Sequence, residues 1–285
     1  MNKIMLMVFS MFAQLAMIAD AQTATAFLNT QSGYYAAVNG LKMYYEIHGT
    51  GKPLVLIHGG GSTIESTFGR ILPELDKGHQ VIAVELQAHG HTRDIDRPLS
   101  FEQDADDVAA LLDQLHVAKA DIMGFSNGGT TALQIAIRHP ELVNKLVLAS
   151  AVYKRDGMVP GFFDGFKHAT LDVMPQPLKE AYLKATPDTN GLEVMFHRDV
   201  ARMSAFKDIS DEAIRNIQAP AFVLNADHDV VLPEHALVLS RTLPHAPLAI
   251  LPGLHGEYLG EVCARNKNGK LPVLVVAMIE EFLEQ

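Results

Sequence analysis

Residues Ile122-Met123-Gly124-Phe125-Ser126-Asn127-Gly128-Gly129-Thr130 decide the fold of this 285-residue chain. An apolar run, Ala120 to Met123, leads into Gly-x-Ser-x-Gly, and a helix-compatible run, Thr131 to Arg138, leads out to His139-Pro140. The order is strand, sharp turn, helix. Such a turn places the serine in a strained backbone conformation, and only small neighbours fit where strand and helix close on each other, hence the flanking glycines. The hydroxyl is then held above the strand end, open to a base on one side and a substrate on the other. Taken alone, the pattern is equally a glycine-rich turn in any α/β protein, so its company in the chain decides.

Upstream, Tyr34 to Val38 and Leu41 to Ile47 are strand-like and are joined by Asn39-Gly40, which favours a tight turn with positive φ at both positions. Pro53 to Ile57 is a continuous apolar run, as expected of a strand covered on both faces, and ends at His58-Gly59-Gly60-Gly61-Ser62. Val81 to Val84 repeats the pattern and ends at Glu85 and the loop Gln87-Ala88-His89-Gly90-His91-Thr92. Ser100-Phe101-Glu102-Gln103 predicts a capping box, and Val108, Leu111, Leu112 and Leu115 then recur at helical spacing.

Downstream, Lys145 to Ser150 and Ala221 to Asn225 are further strands, the second ending at Asp227-His228-Asp229. A helix from Pro233 to Leu243 leads to a last strand, Leu248 to Leu251, then to Pro252-Gly253-Leu254-His255, and Val273 to Leu283 closes the chain as a helix. The alternation predicts an α/β fold, a doubly wound and mostly parallel sheet of about eight strands. It breaks over about 154–218, where Phe162, Phe163, Phe166 and Met174 accompany helix-like pieces, Leu178 to Lys184 and Val194 to Phe206. An aromatic and Met-rich insertion predicts a small helical lid over a pocket; a helical excursion with its own small core has the same composition.

The 48% hydrophobic content suffices for one large core. A net charge of -10 argues against nucleic acid or an anionic membrane as partner, since both demand a basic face. Residues 1–21 read as a signal peptide: Lys3 is the positive n-region, Ile4 to Ile18 the apolar stretch, and Ala19-Asp20-Ala21 the site for cleavage before Gln22. Residues 22–32 read as a flexible leader and residues 33–285 as the folded domain, and the mature protein is expected outside the cytoplasm, periplasmic or extracellular, with no stable membrane insertion after signal cleavage. Cys263, the single cysteine, has no partner in the chain and reads as a small buried hydrophobe.

In open parallel sheets ligands bind at the carboxyl ends of the strands, and His58 to Ser62, Ser126, Asp229 and His255 all lie at such ends. With these residues in place, the chain resembles the α/β-hydrolase fold family, in its esterase-like branch with a lid between the sixth and seventh strands. The resemblance covers nearly all of residues 34–285 except the lid. It implies that Ser126 is the nucleophile, Asp229 the acid and His255 the base, in the family's chain order. It further implies that His58-Gly59-Gly60 is the oxyanion loop, with the backbone N–H groups of Gly60 and Asn127 as donors.

The chemistry behind these roles stands apart from the resemblance. A serine hydroxyl is barely ionised near neutral pH, so it needs a base, and imidazole titrates in that range. A carboxylate fixes the imidazole tautomer and stabilises the imidazolium formed during attack.

Asp227 competes with Asp229 at the same strand end, and Asp229 is preferred on motif position. His228, His235 and His245 compete with His255, but only His255 follows the final strand after Pro-Gly. His58 braces its loop rather than acting as a base. His89-Gly90-His91 raises a metal reading that lacks a third ligand, so no metal and no cofactor is expected. Where relatives often carry Asp, Arg and Ser after the fourth strand, this chain has Glu85, Gln87 and Thr92, which bears on loop packing and substrate shape.

The resulting expectation is an exported serine hydrolase acting on a small-molecule carboxylic ester. Its pocket is expected to be lined by Gly61, Phe162, Phe163, Phe166 and Met174. The same triad serves C–C bond or amide hydrolysis. A reading of another class is a binding protein that keeps the triad but uses the pocket for ligand sensing.

Overall fold

A computed structural model describes residues 33–285; the signal peptide and leader read from the sequence lie outside them. Everything from Tyr35 to Gln285 forms one compact unit. The chain runs β1 (Gly33–Val38), β2 (Leu41–His48), β3 (Lys52–Ile57), α1 (Ile64–Phe68), α2 (Leu72–Leu75), β4 (His79–Glu85), α3 (Phe101–Gln114) and β5 (Ala120–Phe125). It continues through α4 (Asn127–Arg138), β6 (Val143–Ala149), α5 (Phe162–Gly165), α6 (Gln176–Ala185), α7 (Thr189–Ala205) and α8 (Asp211–Arg215). It ends with β7 (Ala221–Ala226), α9 (Pro233–Thr242), β8 (Leu248–Leu251) and α10 (Leu271–Glu284).

The eight strands form one sheet in the order β1-β2-β4-β3-β5-β6-β7-β8. β2 runs antiparallel to β4, and each pairing from β4–β3 onward to β8 is parallel. The β1–β2 turn has φ 48° at Asn39 and 82° at Gly40, as the dipeptide predicted. The continuous apolar runs are resolved by strand alternation into two cores, one on each face of the sheet. Val55, Ile57, Ile82, Val84 and Ile122 join α3, α4 and α9 on one side. Leu54, Leu56, Val81, Ala83 and Met123 join α1, α2 and α10 on the other.

Several boundaries shift by a turn. α4 begins at Asn127 rather than Thr131, because the turn's glycines are themselves helical. β6 begins at Val143 rather than Lys145. At α3 only half of the capping box forms: Ser100 Oγ accepts from the Gln103 amide, whereas the Gln103 side chain donates to Asp107. Cys263 is half-buried rather than buried, with its thiol pushed up to about 12 by burial and the adjoining Glu261.

The segment between β6 and β7 is helical and carries two small apolar clusters. In one, Met174, Tyr182, Leu192, Met195 and Phe196 close over Ala88. In the other, Phe162, Phe163 and Phe166 pack on Phe101, Met203 and Phe206.

Candidate active site

Ser126 sits between β5 and α4 with φ 55° and ψ -120°, a conformation rarely adopted by a non-glycine residue. Its amide is held by the Ala149 carbonyl at 2.8 Å, and its own carbonyl accepts from Gly129 and Thr130. The glycines allow this close approach. A Cβ on Gly124 would lie 2.0 Å from the Gly128 carbonyl oxygen, and one on Gly128 would lie 2.1 Å from that of Ile57. Neither contact can be relieved without moving backbone.

Three strand ends bring the predicted trio together. His255 Nε2 lies 3.0 Å from Ser126 Oγ, and His255 Nδ1 lies 2.6 Å from Asp229 Oδ1. Because a carboxylate only accepts, the geometry assigns the proton to Nδ1 and leaves Nε2 to accept from the hydroxyl. Asp229 is 5% exposed. Burial by itself would raise its pKa, but His255, the Ser150 hydroxyl and the Val231 amide together hold the carboxyl below its ordinary value. Ser150 Oγ donates to Asp229 Oδ2 at 2.6 Å and lies 2.7 Å from the hydroxyl of the fully buried Tyr258.

Asp227 and His235, two of the rivals, are occupied elsewhere. Asp227 accepts the Gly253 amide at 2.8 Å, stapling the loop that leads to His255. His235 is buried, accepts the Tyr153 amide, and is lowered to about 4 by burial. His58 bridges the Gly59 carbonyl and the Leu86 amide, and burial lowers it to about 3, so it stays neutral and braces its loop.

Gly60 and Asn127 lie side by side. A Cβ on Gly60 would meet Asn127 Nδ2 at 2.5 Å and Asp199 Oδ2 at 3.2 Å, while one on Gly59 would meet Ser126 Cβ at 3.3 Å. The glycine loop is therefore pressed onto the serine turn.

The predicted pocket residues divide. Met174 Cε would lie 3.2 Å from a Cβ on Gly61, so Met174 covers the glycine loop. The three phenylalanines pack among themselves with ring centroids 5.2 to 6.4 Å apart. The Arg155 guanidinium lies 3.7 Å over the Phe163 ring. Theirs is a small core of its own. A cleft of about 730 Å³ lined by Glu85, His91, Glu180 and Glu261 opens nearby, but its walls include none of Ser126, Asp229 and His255.

The loop after β4 is held by its own side chains. Glu85 accepts from the His91 amide and ring and from the Ile64 amide. Gln87 ties Asp94 to the Ile95 and Arg97 carbonyls, and Thr92 bridges the Tyr44 amide and the Glu85 carbonyl. His89 and His91 face different partners, Asp199 and Glu85 respectively.

Sequence reasoning missed Ser150, Tyr258 and Asp199. Ser150 follows β6 directly, so the strand-end rule that selected Asp229 and His255 also points to it. Nothing in the local pattern around Asp199 marks it.

Comparisons with known proteins bear on the fold and the family. Residues 52–177 match the family model for the alpha/beta hydrolase fold. The chain is 30% identical over 232 residues to a pimeloyl-[acyl-carrier protein] methyl ester esterase of Neisseria meningitidis serogroup B, covering 73% of this chain and 87% of that protein. It is 28% identical over 260 residues to human serine hydrolase BPHL, covering 85% and 86%. A 2-hydroxy-6-oxo-2,4-heptadienoate hydrolase of Pseudomonas putida is 27% identical over 248 residues, covering 78% and 89%. The crystal structure of a hydrolase from Pseudomonas aeruginosa PA01 superposes with a TM-score of 0.72 at 20% identity, covering 90% of this chain and all of that one. The chain belongs to the α/β-hydrolase family, a family of hydrolases.

Proposed function

We propose that the protein is a serine hydrolase that cleaves small carboxylic esters through an acyl-enzyme. The observation that carries this reading is the continuous hydrogen-bond chain from Asp229 through His255 to Ser126, with Ser126 raised on a strained turn. His255 Nε2 takes the hydroxyl proton as Ser126 Oγ attacks the ester carbonyl, and Asp229 stabilises the imidazolium. The Gly60 and Asn127 amides face the developing oxyanion, each such donor contributing about 3 to 4 kcal/mol. His255 then returns the proton to the departing alcohol, and water repeats the sequence on the acyl-enzyme. Esterase names among the relatives support the ester reading.

Ser126→Ala tests it. Hydrolysis of short p-nitrophenyl esters should fall by about 10⁴ or more, as for other triad nucleophiles; full activity in the variant would refute the mechanism. A second reading, C–C bond hydrolysis, is favoured by the relative named for a 2-hydroxy-6-oxo-dienoate. Turnover of matched ester and diketone substrates separates the two. Fluorophosphonate labelling without turnover on either would instead favour a ligand-binding role.

We also propose export, on the strength of Lys3, the apolar stretch to Ile18 and Ala19-Asp20-Ala21. A mature N-terminus at Gln22, found by sequencing the protein from its native fraction, tests this. Among the described residues, no helix is long and apolar enough to cross a membrane.

A further inference from the structure

α7 reaches the glycine loop through one carboxylate. Asp199 Oδ2 accepts the Gly61 amide at 2.6 Å and lies 3.0 Å from His89 Nε2. Its other oxygen accepts from Arg202, whose second nitrogen donates to Asp104 of α3 at 2.6 Å. Arg202 and Asp104 are buried, and the Asp199 side chain is only 15% exposed. His89 Nδ1 donates to the Gln87 carbonyl at 2.9 Å, while its Nε2 faces both Asp199 Oδ2 at 3.0 Å and, more distantly, the Gly61 amide at 3.3 Å; an imidazole that also donates to the carboxylate from Nε2 is cationic. Burial opposes that charge, and the Asp199 carboxylate in contact with the ring pushes the pKa of His89 up against it. The carboxylate is thus flanked by His89 and Arg202, with Asp104 beyond and neutral His58 tilted against His89 at a ring-centroid distance of 4.9 Å.

Gly61 has φ 65°, and its amide is held from outside its own loop, by Asp199 Oδ2 at 2.6 Å and more distantly by His89 Nε2 at 3.3 Å. The amide immediately before it, that of Gly60, is the oxyanion donor under the serine hydrolase reading, on which the following inference rests. We propose that Asp199 is a positioning residue: it pins Gly61 so that the Gly59–Gly61 loop stays pressed on the Ser126–Asn127 turn, completing the oxyanion site only while α7 is seated. α7 and the C-terminal end of α6 share further anchors on the loop after β4, where Arg198 of α7 binds Asp94 and Thr186, capping α6, donates to the Gly90 carbonyl. The inserted segment is therefore part of the reacting site's frame as well as its cover. A charged acceptor suits the task because N–H bonds to a carboxylate are shorter and about twice as strong as neutral ones.

Asp199→Asn removes the charge and keeps the shape. A displaced oxyanion donor costs less than a deleted one, so kcat on a p-nitrophenyl ester should fall by about ten- to a hundredfold while KM changes little. Active-site titration with a fluorophosphonate should still count one reactive serine per chain, and amide exchange in residues 58–63 should accelerate. Unchanged kcat, unchanged exchange, or a loss explained wholly by fewer titratable sites would overturn the proposal. If Asp199→Asn does not fold, His89→Gln, which removes the flanking positive charge, should lower kcat in the same direction by a smaller factor; no change overturns it. Should the wild type hydrolyse no ester and take no label, the serine hydrolase reading fails, and exchange at 58–63 still decides whether Asp199 pins the loop.

Discussion

Ser150→Ala should destabilise the protein by about 1.5 to 3 kcal/mol, the contribution of a hydrogen bond to a charged group. The hydroxyl donates at 2.6 Å to an Asp229 oxygen inside a carboxylate that is 5% exposed, so water cannot readily replace it. Tyr258 loses a partner as well and keeps a 3.5 Å approach to the Leu224 carbonyl. In a domain of this size each kcal/mol moves Tm by about 2 to 4 °C, giving a drop of roughly 3 to 12 °C. Ser150 itself has φ 49°. Ser150→Gly removes the same hydroxyl but relieves that strain, so it should be the milder variant by about 1 kcal/mol. The pH dependence identifies the cause. Asp229 is depressed in the fold, so its contribution is fully present above the unfolded carboxylate value of about 3.9 and is lost as pH falls through the lower folded value. The Ser150 bond favours the ionised form. The gap in Tm between wild type and Ser150→Ala should therefore be full at pH 6 to 8 and close as pH falls below about 4. Thermal melts across pH 3 to 8 measure it. A gap that persists undiminished at pH 3 would show that Ser150 acts through packing and refute the argument.

Two further outcomes separate residues to which different roles are assigned. Asp229→Ala should cost about 10⁴ in kcat on a p-nitrophenyl ester, whereas Asp227→Ala, which only frees the Gly253 amide, should stay within about tenfold of wild type. Phe163→Ala should lower stability by about 1 to 3 kcal/mol, less than a fully buried Phe, and leave relative rates across an ester panel unchanged. Met174→Ala, which uncovers Gly61, should instead change KM across the same panel.

The serine turn was legible because strain, glycine spacing and strand–helix order are local. Asp229 and His255 were legible because they lie in the loops that directly follow β7 and β8, and a parallel sheet gathers such ends on one rim. The phenylalanines of 162–166 misled because composition does not say which face of a short helix meets which neighbour; here they meet Phe101 and Phe206. The departures after β4 pointed to loop packing or substrate shape, and Glu85, Gln87 and Thr92 form the loop's own hydrogen bonds.

The sequence by itself determined the sheet and the serine turn, since each depends on periodicity or backbone conformation within a few neighbours, and it placed Ser126, Asp229 and His255 just after strands. The tertiary structure alone decided which groups tune them. Ser150 and Asp229 are separated by 79 residues and Gly61 and Asp199 by 138, so their hydrogen bonds exist only once β6 lies beside β7 and α7 has docked on the glycine loop.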